Sequence, residues 1–460
     1  MLEPAQSADV VIVGAGVSGL AAAHHLTRAG VTTVVLEAAP YTGGRMSTEK
    51  VDGFRLDRIG QLLFTSYPEL TRTPGLDALV LRPFAPGVLV HSDGRHHRAG
   101  PPAPTWSTKG ARGSARGALI AARALASAPR APRAPRTAGP ATPRPATPLG
   151  GALDQARLSA ALGRLAATPA ERLLTRRELP AAQALATRGL PSRTVDGFLR
   201  PLLSALLSDP GLTTSSRCAD LALHAFARGR LCLPEGGADA LPELLAATLP
   251  PGTVRTGVRV TEVSTTSVRT ADHGELACRS VLLATGARAA AELLPGLRVP
   301  SFHPVTVVHH ATSEPPLAEP ALLLDADRRG PVAYTAVVSQ VDPSRAPAGR
   351  TLVSSTVLGP PPPGLDALVR GHLAELYGTS TSGWETLAVH HDPEAVPAMP
   401  APHDLHRPVR LLTGLYVCGD HRDTSTVQGA LHSARRAAHV LAADLGVDLP
   451  DAVDPMSTAA

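Results

Sequence analysis

The chain has 460 residues, 43% of them apolar but only 3% aromatic, and 44 Lys and Arg against 39 Asp and Glu leave a formal net charge of +5. That length exceeds one small domain and, at roughly 150 residues per domain, calls for two or three cores. No run of about eighteen apolar residues occurs, so no membrane-spanning helix is expected. The four cysteines, Cys218, Cys232, Cys278 and Cys418, are too scattered for a metal-ligand or redox pair and read as buried thiols in a reducing, cytoplasmic setting. The first apolar segment has no basic stretch ahead of it, so a secretory leader is not expected either.

In chain order, the apolar run 10–13 predicts a strand leading into Gly14, Gly16 and Gly19, with Ala15 and Ser18 inside the turn, then a helix and a second strand over 31–36 ending on Glu37. This order suits the ADP half of a dinucleotide. The glycines let the backbone turn sharply and approach a pyrophosphate, and the helix N-terminus offers free N–H groups to its oxygens. An acid about 20 residues beyond the glycines is placed to accept hydrogen bonds from both ribose hydroxyls. Gly43, Gly44 and Arg45 follow, then Asp57, Gly60 and Gln61.

These residues resemble the second glycine pair and arginine of FAD enzymes in the glutathione-reductase-like superfamily. Within it the chain is similar to flavin-dependent amine oxidases and phytoene-desaturase-like oxidoreductases, a group that includes protoporphyrinogen oxidases. The far end carries the resemblance independently, with a short strand over 415–417, Gly419, Asp420, and a helix opened by Gly429 and Ala430 and running to about 445. The resemblance implies that Asp420 meets the ribityl chain and that the backbone N–H near Val427 faces the flavin pyrimidine ring, where a reduced flavin gathers negative charge. Pro234 to Gly237 before a helix over 241–249, strands within 254–263 with Val258 beside the adenine, and the strand 281–283 before Ala284, Thr285 and Gly286 complete the match. It touches residues 8–67, 230–290 and 384–445; the rest matches by order and length only.

The implied fold is α/β: a Rossmann-like FAD-binding domain assembled from residues 1–75, 230–299 and 385–450, and an α+β substrate domain from 76–229 and 300–384. The second domain is expected to pair a hairpin near 88–98 with strands over 305–310, 332–338 and 351–357 in one antiparallel sheet. Helices over 152–166, 180–188, 195–207, 218–227 and 365–377 cover a cavity above the flavin. A flexible tail over 451–460 ends the chain.

Between Asp93 and Asp154 there is no carboxylate side chain and there are ten basic ones, from Arg95 to Arg144. Against a net charge of +5, these ten leave the remainder negative by five. Ala-Pro-Arg and Thr-Pro repeats favour extended backbone there, so about 98–150 reads as a flexible surface insertion. The alternative is peripheral contact with an anionic membrane, helped by a partly amphipathic stretch at 118–126. Without stacking residues or a recognition fold, nucleic acid is not an expected partner.

No second glycine fingerprint follows a mid-chain strand, so electrons are expected to leave to oxygen or a quinone and not through a pyridine nucleotide. The expected reaction moves a hydride from a substrate C–H to flavin N5, with the cofactor bound noncovalently. Amine oxidases of this superfamily commonly place a lysine near N5 and an aromatic cage around the amine. Lys50 and Lys109, the only lysines, stand in neither place, and the later half supplies only Phe302, Tyr334, Tyr377, Trp384 and Tyr416. Oxidation or desaturation of a small or lipophilic molecule is therefore favoured over an amine oxidase with an atypical site or a catalytically silent flavin-binding scaffold. Gln61 and His421 are candidate substrate-side groups, each with a plain structural alternative. The adjacent pairs His96–His97, His309–His310 and His390–His391 point to opposite strand faces, and no metal site is expected.

Overall fold

The computed structural model describes residues 8–100 and 149–449. Most of the basic insertion, with its 118–126 stretch, and the 451–460 tail lie outside the described residues.

The strand Ala8–Val13 is the centre of the first domain. Val10, Val11 and Ile12 are wholly buried, as expected of a parallel strand covered on both faces. It pairs in parallel with Thr33–Leu36 on one side and with the end of Glu275–Leu283 on the other. Val254–Arg255 extends the sheet beyond Thr33–Leu36, and Leu415–Val417 extends it beyond Glu275–Leu283, both in parallel. Three distant stretches thus build one parallel sheet. Residues 254–263 do not act as one unit: Gly257 has φ +72°, and beyond it Val260–Val263 joins an antiparallel meander with Ser267–Thr270 and the exposed first half of Glu275–Leu283.

The helix Val17–Arg28 crosses the sheet and packs on Val427–Leu445. Both contact faces are rich in alanine, with Ala21, Ala22, Ala23, Ala434, Ala437 and Ala438 wholly buried; short side chains allow the two backbones to approach closely.

The second domain is built on a seven-stranded sheet in the order Glu385–Pro397, Phe302–Thr312, Thr351–Leu358, Val332–Val337, Leu323–Asp325, Val88–Ser92, Arg95–Ala99. All neighbours are antiparallel except Leu323–Asp325 with Val88–Ser92, where the two pieces of the domain meet. Glu385–Pro397, placed by sequence with the third nucleotide stretch, is the edge strand of this sheet. Its helices are Ala152–Ala167, Ala181–Ala186, Arg200–Leu207, Ser216–Arg228 and Leu365–Tyr377. The expected helix over 195–207 opens as a π turn, Val195–Leu199. Pro201 has no N–H to continue the α ladder there.

One buried side chain ties the two domains. Arg345 is fully buried, and its guanidinium donates to Asp57 Oδ1 at 2.8 Å, to Asp342 Oδ2 at 3.1 Å and to the Pro234 carbonyl at 3.1 Å. Burial disfavours its charge, but Asp57 and Asp342 outweigh that and hold Arg345 above its ordinary value. Replacing Arg345 with Met strands the buried Asp342 carboxylate and the half-buried Asp57 carboxylate and is expected to cost about 3–5 kcal/mol of unfolding free energy in urea titrations. Arg329→Met, whose own side chain is exposed and whose contacts to Asp93 and Asp327 are long, 3.6 and 3.9 Å, is expected to cost about 1 kcal/mol or less.

Candidate functional site

A cleft of ≈ 830 Å³ opens at the C-terminal ends of the parallel strands and is lined by all three nucleotide stretches. Gly14 leaves the first strand at φ +106°, and a Cβ there would sit 2.9 Å from the Ala284 carbonyl oxygen. Gly19 is packed harder, since a Cβ would lie 2.0 Å from the Gly14 oxygen. At Gly16 a Cβ would meet nothing within 4 Å. That open position caps the first helix without a side-chain cap, so the helix presents its free N–H groups and positive dipole end to the cleft.

Glu37 is held by its neighbours. Its Oε2 accepts the Ala15 N–H at 2.8 Å and its Oε1 accepts the Ala39 N–H at 2.9 Å. A carboxylate has about four lone-pair directions, so two remain for a ligand diol. The Ala15 carbonyl accepts Gly43 N–H at 2.9 Å, and Gly16 and Gly43 bridge, which draws the second glycine pair against the first.

Arg45 donates to Asp420 Oδ1 at 2.6 Å and to the Ala395 carbonyl at 2.8 Å. Burial opposes its charge, and the Asp420 carboxylate more than offsets that, so Arg45 sits above its ordinary value. The Val427–Leu445 helix is capped by Thr426, whose hydroxyl accepts the Gly429 N–H. Val427, at the first helical position, has no partner for its N–H among the described residues. It is therefore a free donor at a helix dipole.

Of the residues singled out in the sequence, Gly14, Gly16, Ser18, Glu37, Gly43, Gly44, Arg45, Gln61, Val258, Gly286, Gly419, Asp420, Val427 and Ala430 line this cleft. Ala15 and Gly19 act behind its wall. Val258 already donates its N–H to the Glu37 carbonyl, leaving its carbonyl and side chain to the cleft.

Gly60 lies elsewhere. It lines a second chamber of ≈ 40 Å³ between the hairpin Thr48–Asp57 region and the seven-stranded sheet, together with Gln61, Tyr334, Thr356, His309 and Arg345. A Cβ on Gly60 would lie 3.0 Å from Thr356 Oγ1, and Tyr334 donates its hydroxyl to the Gly60 carbonyl at 2.8 Å. Burial pushes that phenol up to about 12, so it stays a neutral donor. Gln61 alone among these candidates lines both spaces, and its Oε1 is buried with no partner among the described residues.

His421 lines neither space; its ring packs against Gly419, and burial pushes it down to about 4. His309 is the histidine that reaches the chamber. It bonds Ser354 Oγ at 2.8 Å and the Asp57 carbonyl at 3.0 Å, and burial pushes it, too, down to about 4. Sequence reading missed it, although strand alternation does place His309 and His310 on opposite faces. The chamber's aromatics are Tyr334 and Phe84. Tyr377 and Trp384 instead belong to a core cluster that excludes the chamber residues, Tyr416 bonds Asp444, and Phe302 lines the cleft. Lys50 is exposed on its hairpin.

A family profile described as flavin containing amine oxidoreductase matches residues 17–442. This chain belongs to that family. The glycine cradle, the anchored Glu37 and the helix N-termini fit its FAD cofactor, and the open Gly16 position leaves room for a phosphate to approach the backbone. In the family FAD is generally held without a covalent bond, and none of the four thiols of this chain lines the cleft.

Putrescine oxidase of Kocuria rosea is 47% identical over 68 residues, 15% of this chain and 14% of that protein, so the chain matches a small part of its curated relative's length. An oxidoreductase of Methanosarcina mazei superposes with a TM-score of 0.68 at 16% identity, covering 93% of this chain and 99% of that one. Cyclohexylamine oxidase of Brevibacterium oxydans IH-35A does so at 0.61 and 17%, covering 96% and 100%. At these identities the superpositions show the fold.

Glu37→Leu strands the Ala15 and Ala39 N–H groups and is expected to weaken FAD binding by about 10–100-fold, read as flavin retained after dialysis. His309 is neutral when folded, whereas the unfolded chain takes up a proton near its ordinary 6.5. The unfolded state therefore binds more protons below that pH, and stability falls as pH drops from about 6.5 to about 4. His309→Asn is expected to flatten that fall in pH-dependent urea unfolding.

Proposed function

We propose that this chain is an FAD-dependent oxidoreductase that removes a hydride from a C–H of a small or lipophilic substrate and passes electrons to oxygen or a quinone. Flavin, when bound, supplies two-electron acceptor chemistry at N5. The protein supplies binding, orientation and exclusion of water. Gln61 carries the reading: its unpartnered Oε1 stands in the wall shared by the cofactor cleft and the chamber beneath the sheet. A side-chain amide there can accept a hydrogen bond from a substrate N–H or O–H and turn the reacting C–H toward the cleft.

The chamber walls favour a neutral substrate. Asp57 Oδ1 is engaged by Arg345, the Thr48 hydroxyl and the Ala238 N–H, so the charge of this carboxylate is already paired with a guanidinium before any ammonium group arrives. A space of ≈ 40 Å³ holds little more than a water or two, which favours a small substrate or the narrow end of a longer one. The family match supports the second reading, oxidation of an amine, and a neutral amine meets the same geometric demand.

The surplus of basic residues between Arg95 and Arg144 supports peripheral contact with an anionic membrane. Among the described residues no helix is long and apolar enough to cross one.

Anaerobic mixing of the holoprotein with amines, small neutral C–H donors and polyenes is expected to bleach the flavin band near ~450 nm with one class. Gln61→Leu is expected to lower kcat/KM for that substrate by about 10–100-fold at unchanged flavin content. A flavin that dithionite reduces but no substrate class does would point instead to a silent scaffold.

A further inference from the structure

Charge is strongly segregated along this chain. Residues 101–148 carry eight basic side chains and no acidic one, and residues 149–230 carry eleven arginines against six acids. Together they amount to +13 where the whole chain is +5, so the remainder is −8. The second of these segments forms the helical part of the substrate domain, and neither cavity described above accounts for its charge.

That helical part contains a half-open cavity of ≈ 170 Å³, lined by residues of helices Ala152–Ala167 and Ser216–Arg228 and of the turns between them. Leu162, Leu199 and Leu223, each 4% exposed or less, form an apolar floor. Arg164, Arg176 and Arg188 line it as well. Asp220, with its side chain 4% exposed, pairs with both Arg176 and Arg188. One buried carboxylate thus holds two guanidiniums at the cavity and neutralises only one of them. Arg164, exposed, is in no ion pair among the described residues. The lining therefore carries two uncompensated positive charges beside a leucine floor.

We propose that this cavity binds an anionic single-chain amphiphile, with a hydrocarbon segment on the leucines and a carboxylate or phosphate head on Arg164 and Arg188. A cavity of about 150 Å³ can hold a benzene-sized hydrocarbon, so several carbons of a chain fit. Guanidinium forks match both kinds of head group in a bidentate manner. The site extends the membrane-contact reading given above from the basic segment to a formed pocket, and the two are separable.

The test is calorimetric titration of the full-length holoprotein with sodium dodecanoate below its micelle threshold, with dodecyltrimethylammonium as the opposite-charge control. Arg164→Glu reverses a charge at the cavity, and Ala161→Phe fills space at its wall. Both positions lie outside the cofactor cleft and chamber, so flavin content serves as the folding control. One dodecanoate per chain is expected, bound about tenfold more weakly by Arg164→Glu and not measurably by Ala161→Phe, with no uptake of the cationic amphiphile. No dodecanoate binding, equal binding by wild type and both variants, or equal uptake of the cation overturns the site. Flotation with phosphatidylglycerol vesicles separates the readings: flotation without dodecanoate binding removes the pocket and keeps contact through the basic segment, while dodecanoate binding without flotation does the reverse.

Discussion

The buried guanidinium of Arg345 is the interaction on which the arrangement of the two domains depends. A charge taken out of water is costly unless paired and hydrogen-bonded, and its partners come from Asp57 in the first nucleotide stretch, Pro234 at the start of the second, and Asp342 in the substrate domain. Those partners are themselves anchored. Asp57 also takes the Thr48 hydroxyl and the Ala238 N–H, and Asp342 takes the N–H groups of Gly236 and Ser344. A network of this density admits few alternative packings. Arg345 and Asp57 also line the chamber, so the network forms part of its wall.

The cleft has a different logic. Its walls offer mainly backbone, and what the sequence contributes is space and direction: an open position at Gly16, a left-handed exit at Gly14, and a helix N-terminus at Val427 whose N–H has no partner among the described residues. Glu37 is oriented by two N–H donors before any ligand arrives, which lowers the ordering cost of binding. The Arg45–Asp420 pair joins the first stretch to the third across 375 positions of sequence, so the two ends of the cleft cannot drift apart independently.

The chamber, by contrast, is walled largely by side chains on strands. Tyr334 and Thr356 close over Gly60, and His309 fills the floor as a neutral ring held by Ser354 and the Asp57 carbonyl. Membership of the flavin-containing amine oxidoreductase family says which cofactor sits beside this chamber. Lys50 is exposed on its hairpin, away from the chamber, and Asp57, in the chamber wall, is paired with Arg345.

Much of this was legible in the chain itself. The strand at 10–13, the glycines after it, Glu37, and Gly419–Asp420 before a helix are each encoded within a few residues, by burial period, by positive φ and by helix start signals. Leu365–Tyr377 was legible for the same reason, since its apolar spacing and flanking glycines are local. Tertiary structure alone decided that Glu385–Pro397 joins the substrate sheet, that Gln61 spans two spaces while His421 faces neither, and that Arg345 meets Asp57 from 288 positions away. Backbone conformation answers to nearest neighbours, whereas the partner of a buried charge or amide depends on which distant surfaces pack together, and no local pattern carries that information.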